Sequence, residues 1–263
     1  MQKQLKFIGI FLFLLLITVA CSSNQSANQV SDKENIELTI SAAASLKDAM
    51  EIIQHNYQEE HPEITLKFNF GASGSLQKQI SQGAPVDLFF SAAEDKFDLL
   101  VKEGIIAKED GSALLGNELV LIVLKGNQSV KGFKDLVKAE AGKISIGTPE
   151  TVPAGKYAKE CLEQMDIWKN VNSKTVYAKD VRQVLSYVET GNVDAGIVYK
   201  TDALVSDKVE IVTSADPAAH VPVIYPVGII KNSKHYEAAK EFYKYLQSDD
   251  ALKVFEEYGF TTK

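Results

Sequence analysis

From Ile36 onward, short apolar runs alternate with stretches whose apolar residues recur at helical spacing, and this alternation constrains the fold more than any other feature. A chain patterned in this way builds an α/β structure in which strands lie between layers of helices. "IELTISAAA" reads as a strand and "SLKDAMEIIQHNYQEE" as a helix with Leu46, Ala49, Met50, Ile53 and Tyr57 on one side. Strand "TLKFNF", a helix from about Ser75 to Gln82, strand "VDLFFSA", a helix from about Asp95 to Lys102 and strand "ELVLIVLK" complete a first series. Helix "GFKDLVKA" opens a second series, followed by strand "KISIGTP", helix "AGKYAKECLEQM", strand "KTVYA", helix "DVRQVLSYVETG", strand "DAGIVY", a short helix near Thr201 to Val205 and strand "VEIVT". Two such series predict two similar lobes, joined where the extended runs "GNELVLIVLK" and "VPVIYPVGII" cross between them. The helices "HYEAAKEFYKYLQ" and "DALKVFEEYGF" would then return to the first lobe, giving 36–118 with 226–263 as lobe 1 and 119–225 as lobe 2.

The N-terminus sets the compartment. Residues 1–20 carry Lys3 and Lys6 and then the apolar run "FIGIFLFLLLITVA", which ends in small residues before Cys21; this is the pattern of an export signal, too short for a comfortable membrane span. "ITVAC" resembles a bacterial lipobox, with Thr18 where leucine is most frequent. That resemblance makes residues 1–20 a lipoprotein signal peptide and Cys21 the lipid attachment site of an extracytoplasmic, membrane-anchored protein. Residues 21–35 hold almost nothing that could be buried and read as a flexible tether. With Cys21 on the anchor, only Cys161 remains, so a packed core and not a disulfide framework must hold the domain together. Of 28 basic and 35 acidic residues, Lys3 and Lys6 leave with the leader, so the exported chain carries about −9. An acidic chain without a basic, aromatic-interleaved patch excludes nucleic acid as a partner, and any anion it binds must be captured by local contacts.

Ligands of parallel sheets sit where strands turn into helices, and four such turns stand out. In "ISAAASLKDAM", Ser45 occupies a helix N-cap position, and on its own reads as a cap. In "FGASGSLQKQI", Ser73 lies between Ala72 and Gly74. No Gly-Lys-Ser/Thr is present, so this is not a phosphate loop, and Gly71-Ala72-Ser73-Gly74-Ser75 is not a nucleophile elbow. None of His55, His61, His220 or His235 falls at a strand end where it could serve as a general base. In "GTPETVPAGKYAKECL", Pro153 suits the first helical turn, while Ala154 and Gly155 leave backbone N–H groups uncovered. In "AKDVRQVL", Asp180 reads as an N-cap and Val181 as the first helical residue. Together the turns offer hydroxyls and free N–H groups at helix starts, an arrangement made only of donors and suited to a fully ionised anion.

The runs "AAASLKDAM", "FGASGSLQKQI", "GAPVDLFFSA", "LLGN", "GTPETVPAGKYAKECL", "DVRQVLSYVETGNVDAGIVY" and "YGFTTK" resemble, in order and over nearly the whole mature chain, the molybdate-binding component of bacterial ABC importers. The resemblance implies a two-lobed periplasmic-binding-protein fold of type II with the ligand in the interlobe cleft. It implies that Ser45 and Ser73 give hydroxyl and N–H donors, Ala154 and Val181 give N–H donors, and Tyr199 gives its phenol. Molybdate, and tungstate with it, would be held through its oxygens by these residues, with no direct metal–ligand bond, no cofactor and no catalysis. The glycines of "GASG" would let the backbone aim its N–H groups at the anion. A monomer that delivers its ligand to a membrane permease follows from the same resemblance. Taken alone, Tyr199 could instead seal a sheet edge. A binding protein for another tetrahedral oxyanion such as sulfate, and a surface-anchored hydrolase using Ser73 or Ser45, are the alternatives.

Overall fold

The computed structural model describes residues 35–262; the expected signal peptide, Cys21 and all but the last residue of the expected tether lie outside them. In chain order the first series is β1 (Ile36–Ala43), α1 (Lys47–Glu60), β2 (Ile64–Gly71), α2 (Ser73–Ser81), β3 (Leu88–Phe90), α3 (Glu94–Lys102) and β4 (Ile106–Gly116). The second is β5 (Leu119–Leu124), β6 (Ile144–Gly147), α4 (Pro153–Gln164), α5 (Trp168–Asn172), β7 (Thr175–Ala178), α6 (Val181–Glu189), β8 (Ala195–Tyr199), α7 (Lys200–Leu204) and β9 (Val209–Ser214). The chain closes with β10 (Ile224–Ile230), α8 (Tyr236–Tyr245), α9 (Asp249–Glu257) and β11 (Thr261–Thr262).

These strands form two sheets, ordered β11-β4-β10-β3-β1-β2 and β7-β6-β8-β5-β9. Each is built on three parallel strands. β1 runs alongside β2 from Ile36↔Ile64 to Ala43↔Gly71 and alongside β3 up to Ala42↔Phe90, while β6 runs parallel to β7 and β8. Beside each parallel set lies one antiparallel strand reached by a crossing: β10 next to β3, and β5 next to β8. The crossings fall at Asn117–Glu118 and at 215–223. Ile224 and Tyr225 already pair with Gly116 and Leu115 in the first sheet, ahead of the boundary expected after 225. α8 lies on β10 and β1, and α9 on α1 and β11, so the C-terminal helices cover the first sheet.

The apolar pattern explains these placements. Residues 119–123 of β5 and all of β8 are buried without alternation, as strands covered on both faces must be, and α1 buries the stripe Ala49, Met50, Ile53 and Tyr57. Several local readings differ from the structure, and the short α5 and β11 were not expected. β4 was not expected, because its middle, "KEDGS", is polar and partly exposed. "GFKDLVKA" forms two short 3-10 turns, at Phe133–Val137 and Ala139–Ala141, and not an α-helix. α2 starts at Ser73, two residues earlier than its helical pattern suggests. Ser45 is not the N-cap of α1: it sits inside a 3-10 turn, Ala44–Leu46, that leads into the helix, and Ala43 precedes that turn. Pro226 lies within the central strand β10, where a register shift between Tyr225 and Pro226 accommodates its missing N–H.

Candidate functional site

Because the strands within each set are parallel and in register, β1, β2 and β3 end on one edge of the first sheet, and β6, β7 and β8 on one edge of the second. The helix starts that follow β1, β2, β6 and β7 meet around a single, tight cavity of about 10 Å³. Ser45, Ser73, Ala154, Val181 and Tyr199 all line it, and its other walls are small or apolar residues such as Ala43, Gly71, Ala92 and Pro153. No charged side chain takes part in the lining.

Each turn exposes donors for a local reason. Ser73 is the first residue of α2, and its buried hydroxyl accepts the Ala92 N–H at 2.9 Å, which leaves the hydroxyl hydrogen available. Ser45 Oγ lies 2.8 Å from the Tyr225 phenol oxygen. Pro153 opens α4 at a position where its missing N–H costs nothing, so Ala154 presents the next one. The Asp180 carboxylate accepts the Gln183 N–H at 2.8 Å, capping its own helix and turning its charge away from the cavity. Among the described residues, the N–H groups of Ser45, Ser73, Ala154 and Val181 have no acceptor in the protein.

The nearby cations are engaged elsewhere. Lys156 pairs with Asp95 at 3.1 Å, and Arg182 hydrogen-bonds Asp48 and forms an ion pair with Asp202, Nε to Oδ1 2.7 Å, without hydrogen-bond alignment. Both Lys156–Asp95 and Arg182–Asp48 join helices of opposite sheets. Between them the Gly74 N–H donates to the Thr151 carbonyl at 2.9 Å. A Cβ at Gly74 would sit 2.8 Å from that oxygen, so the glycine serves the contact between lobes and does not aim an N–H at the cavity as the sequence suggested. The lobes are thus closed over the site.

Asp202 is fully buried beneath Arg182, and burial pushes its carboxyl up to about 6 against the pull of the guanidinium. An ordinary aspartate titrates near 3.9, so between about pH 4 and pH 6 the folded state holds more protons than the unfolded one. Stability from this group is therefore fully present below that window and falls as pH rises through it, by about 2 to 3 kcal/mol. Thermal melts across pH 4 to 7 are expected to show this slope, and Asp202→Asn to flatten it; an equal slope in both proteins would remove Asp202 as its source.

Tyr199 ends β8, and its buried hydroxyl has no hydrogen-bond partner among the described residues. Burial, with Tyr225 nearby, raises its pKa well above that of free tyrosine, so the phenol stays protonated and can only be a waiting donor or a wasted polar group. An unmet buried hydroxyl costs stability, whereas a hydrogen bond to a charged ligand contributes about 1.5 to 3 kcal/mol. Tyr199→Phe is therefore expected to raise the melting temperature of the protein alone slightly and to weaken anion binding by about 10- to 100-fold. Loss of stability without loss of affinity would return Tyr199 to a structural role at the sheet edge.

Sequence reasoning missed Tyr225, Asn117, the Gly74–Thr151 contact and the Arg182 bridge. Tyr225 was hidden in an apolar run read only as a crossing strand, and Arg182 looked like an ordinary helical residue.

Two parallel-based lobes, joined by two crossings and closed over one small uncharged cavity, define a two-lobed ligand-binding protein of the periplasmic-binding type. The family model for bacterial extracellular solute-binding proteins matches residues 38–261, and the chain belongs to that family. It is 60% identical over 249 residues, 94% of each chain, to YvgL of Bacillus subtilis (strain 168), which bears the name of a candidate ABC transporter substrate-binding lipoprotein. It is 38% identical to the molybdate-binding protein ModA of Haemophilus influenzae, over 86% of this chain and 91% of that one. Among solved structures, the substrate-binding domain of a candidate molybdenum ABC transporter from Clostridium difficile matches with a TM-score of 0.67 and 44% identity, over 87% of this chain and 99% of that one.

Proposed function

We propose that this protein captures molybdate, and tungstate with it, outside the cytoplasm and delivers it to the membrane permease of an ABC importer. The observation that carries the reading is the convergence of unmet donors: four N–H groups at helix starts, the two serine hydroxyls and the unpartnered Tyr199 phenol face one small cavity without a charged wall. A tetrahedral dianion brings four accepting oxygens and no hydrogen, which matches a set made of donors. Seven charge-assisted bonds give a gross contribution of about 10 to 20 kcal/mol, against about 4 to 15 kcal/mol for lost motion, which is compatible with tight binding. A protonated oxyanion such as hydrogen phosphate would bring a donor to a cavity whose two serine oxygens are already engaged, by Tyr225 and by the Ala92 N–H, a strong basis for rejection.

The anchor is a lipid on Cys21, the working form is a monomer, and the ligand is held without a cofactor and released unchanged. Hydrolysis would need a general base, but Ser45 Oγ is bonded to Tyr225 and Ser73 Oγ to a backbone N–H. The binding domain is expected to melt several degrees higher with molybdate and to show no ester hydrolysis. Turnover that disappears in Ser73→Ala, with no anion-induced shift in melting, would overturn the proposal in favour of a hydrolase.

A further inference from the structure

Asn117 lies between β4 and β5 at the first crossing, and its carboxamide has only one consistent orientation. Its Oδ1 accepts the Glu118 backbone N–H at 2.8 Å, and a backbone N–H is always a donor. Nδ2 is therefore the donor in the two remaining bonds, 2.9 Å to Thr201 Oγ1 and 3.2 Å to the Tyr225 phenol oxygen. A phenol carries one hydrogen. Having accepted from Asn117, Tyr225 gives that hydrogen to Ser45 Oγ at 2.8 Å. The reverse direction would leave a buried phenol hydrogen with no acceptor. Ser45 Oγ has no other partner among the described residues, so its own hydrogen is left for the cavity that it lines.

We propose that Tyr225, set by Asn117, is a positioning residue that fixes Ser45 as a donor toward the bound anion, and that this wiring is what keeps the pocket closed to ligands that must themselves donate a proton. The inference rests on the oxyanion reading of the site. A free serine hydroxyl can turn either way and would accept from a protonated anion, whereas one already receiving the Tyr225 hydrogen offers mainly its own. The relay is placed where both lobes meet: Asn117 is on the first crossing, Tyr225 on the strand that completes the second, and Thr201 on α7 of the second lobe. Orientation of the Ser45 hydroxyl is thereby tied to the assembled hinge.

The test is a double-mutant cycle read by calorimetric titration with molybdate. Tyr225→Phe keeps the ring that packs edge-on against Tyr199 and Phe260 and removes only the hydroxyl. It is expected to weaken binding about three- to tenfold in the unaltered protein and less than about twofold in a Ser45→Ala background, because the relay acts through Ser45 alone. Asn117→Ala, upstream in the same relay, is expected to behave alike and guards against misfolding of one variant. The second readout is the excess of phosphate needed to displace half of the bound molybdate near neutral pH. It is expected to fall at least about threefold in Tyr225→Phe, whereas a purely structural loss weakens both anions equally and leaves the excess unchanged. Losses that multiply across the cycle, or an unchanged phosphate excess, overturn the relay and leave the oxyanion reading standing. If the unaltered protein binds none of molybdate, tungstate and sulfate, the oxyanion reading falls and the relay falls with it.

Discussion

Gly74→Val is expected to weaken anion binding about 100-fold or more while the ligand-free protein melts within about 3 °C of the unaltered one. Gly74 is the second residue of α2, on the first lobe, and the added Cβ would lie 2.8 Å from the Thr151 oxygen and 2.9 Å from its Cα, both backbone atoms of the second lobe. Neither can give way locally, so the lobes must part, and the bond from the Gly74 N–H to Thr151 is lost as they do. The three atoms nearest that Cβ all belong to Thr151, so the clash lies between the lobes and folding of the first lobe is expected to be largely spared. An anion held by Ser45 and Ser73 then stands too far from Ala154, Val181 and Tyr199. Losing even part of three charge-assisted bonds, each worth about 1.5 to 3 kcal/mol, gives the predicted factor. Paired titrations and thermal melts check it; unchanged affinity would mean that closure to this distance is not needed for binding.

Gly155→Val is expected to act in the opposite way, on the fold before the ligand. Its Cβ would lie 1.9 Å from the carbonyl oxygen of Gly147, where the start of α4 is pressed onto the end of β6 inside one lobe. No hinge relieves that overlap. The helix must shift off the strand, at a cost of about 3 kcal/mol or more, which for a domain of this size lowers the melting temperature by about 6 to 12 °C. Normal melting would show that α4 can be reseated. One added side chain at Gly74 thus tests the approach of the lobes, and the same side chain at Gly155 tests how a helix start is held within one lobe.

Much of this architecture was legible because burial leaves a periodic trace. Covered strands such as "LVLIV" and "AGIVY", and one-sided helices such as the Ala49–Met50–Ile53–Tyr57 stripe, read correctly from the order of their residues. β4 did not, since a strand whose middle faces outward carries polar residues and loses the signal. The start of α2 was misplaced because glycine is a poor helix former, and only the neighbouring lobe explains why Gly74 stands there. Ser45, Ser73, Ala154 and Val181 were legible as donors at helix starts, yet each taken singly also passed for an ordinary cap or first helical residue, and Tyr199 entered only through the family resemblance. Their convergence depends on parallel register and on lobe closure, which no local pattern encodes. Tyr225 and Ser45 are 180 residues apart, and their bond leaves no trace in either segment alone.

The central claim is that a fully ionised dianion is gripped by uncharged N–H and O–H donors. It is tested most directly by calorimetric titration with molybdate near neutral pH in two buffers of different protonation enthalpy. The structure predicts one site per chain and the same heat in both buffers, because neither ligand nor pocket exchanges a proton on binding. Absence of binding, or a heat that tracks the buffer and so reveals proton uptake, would contradict it.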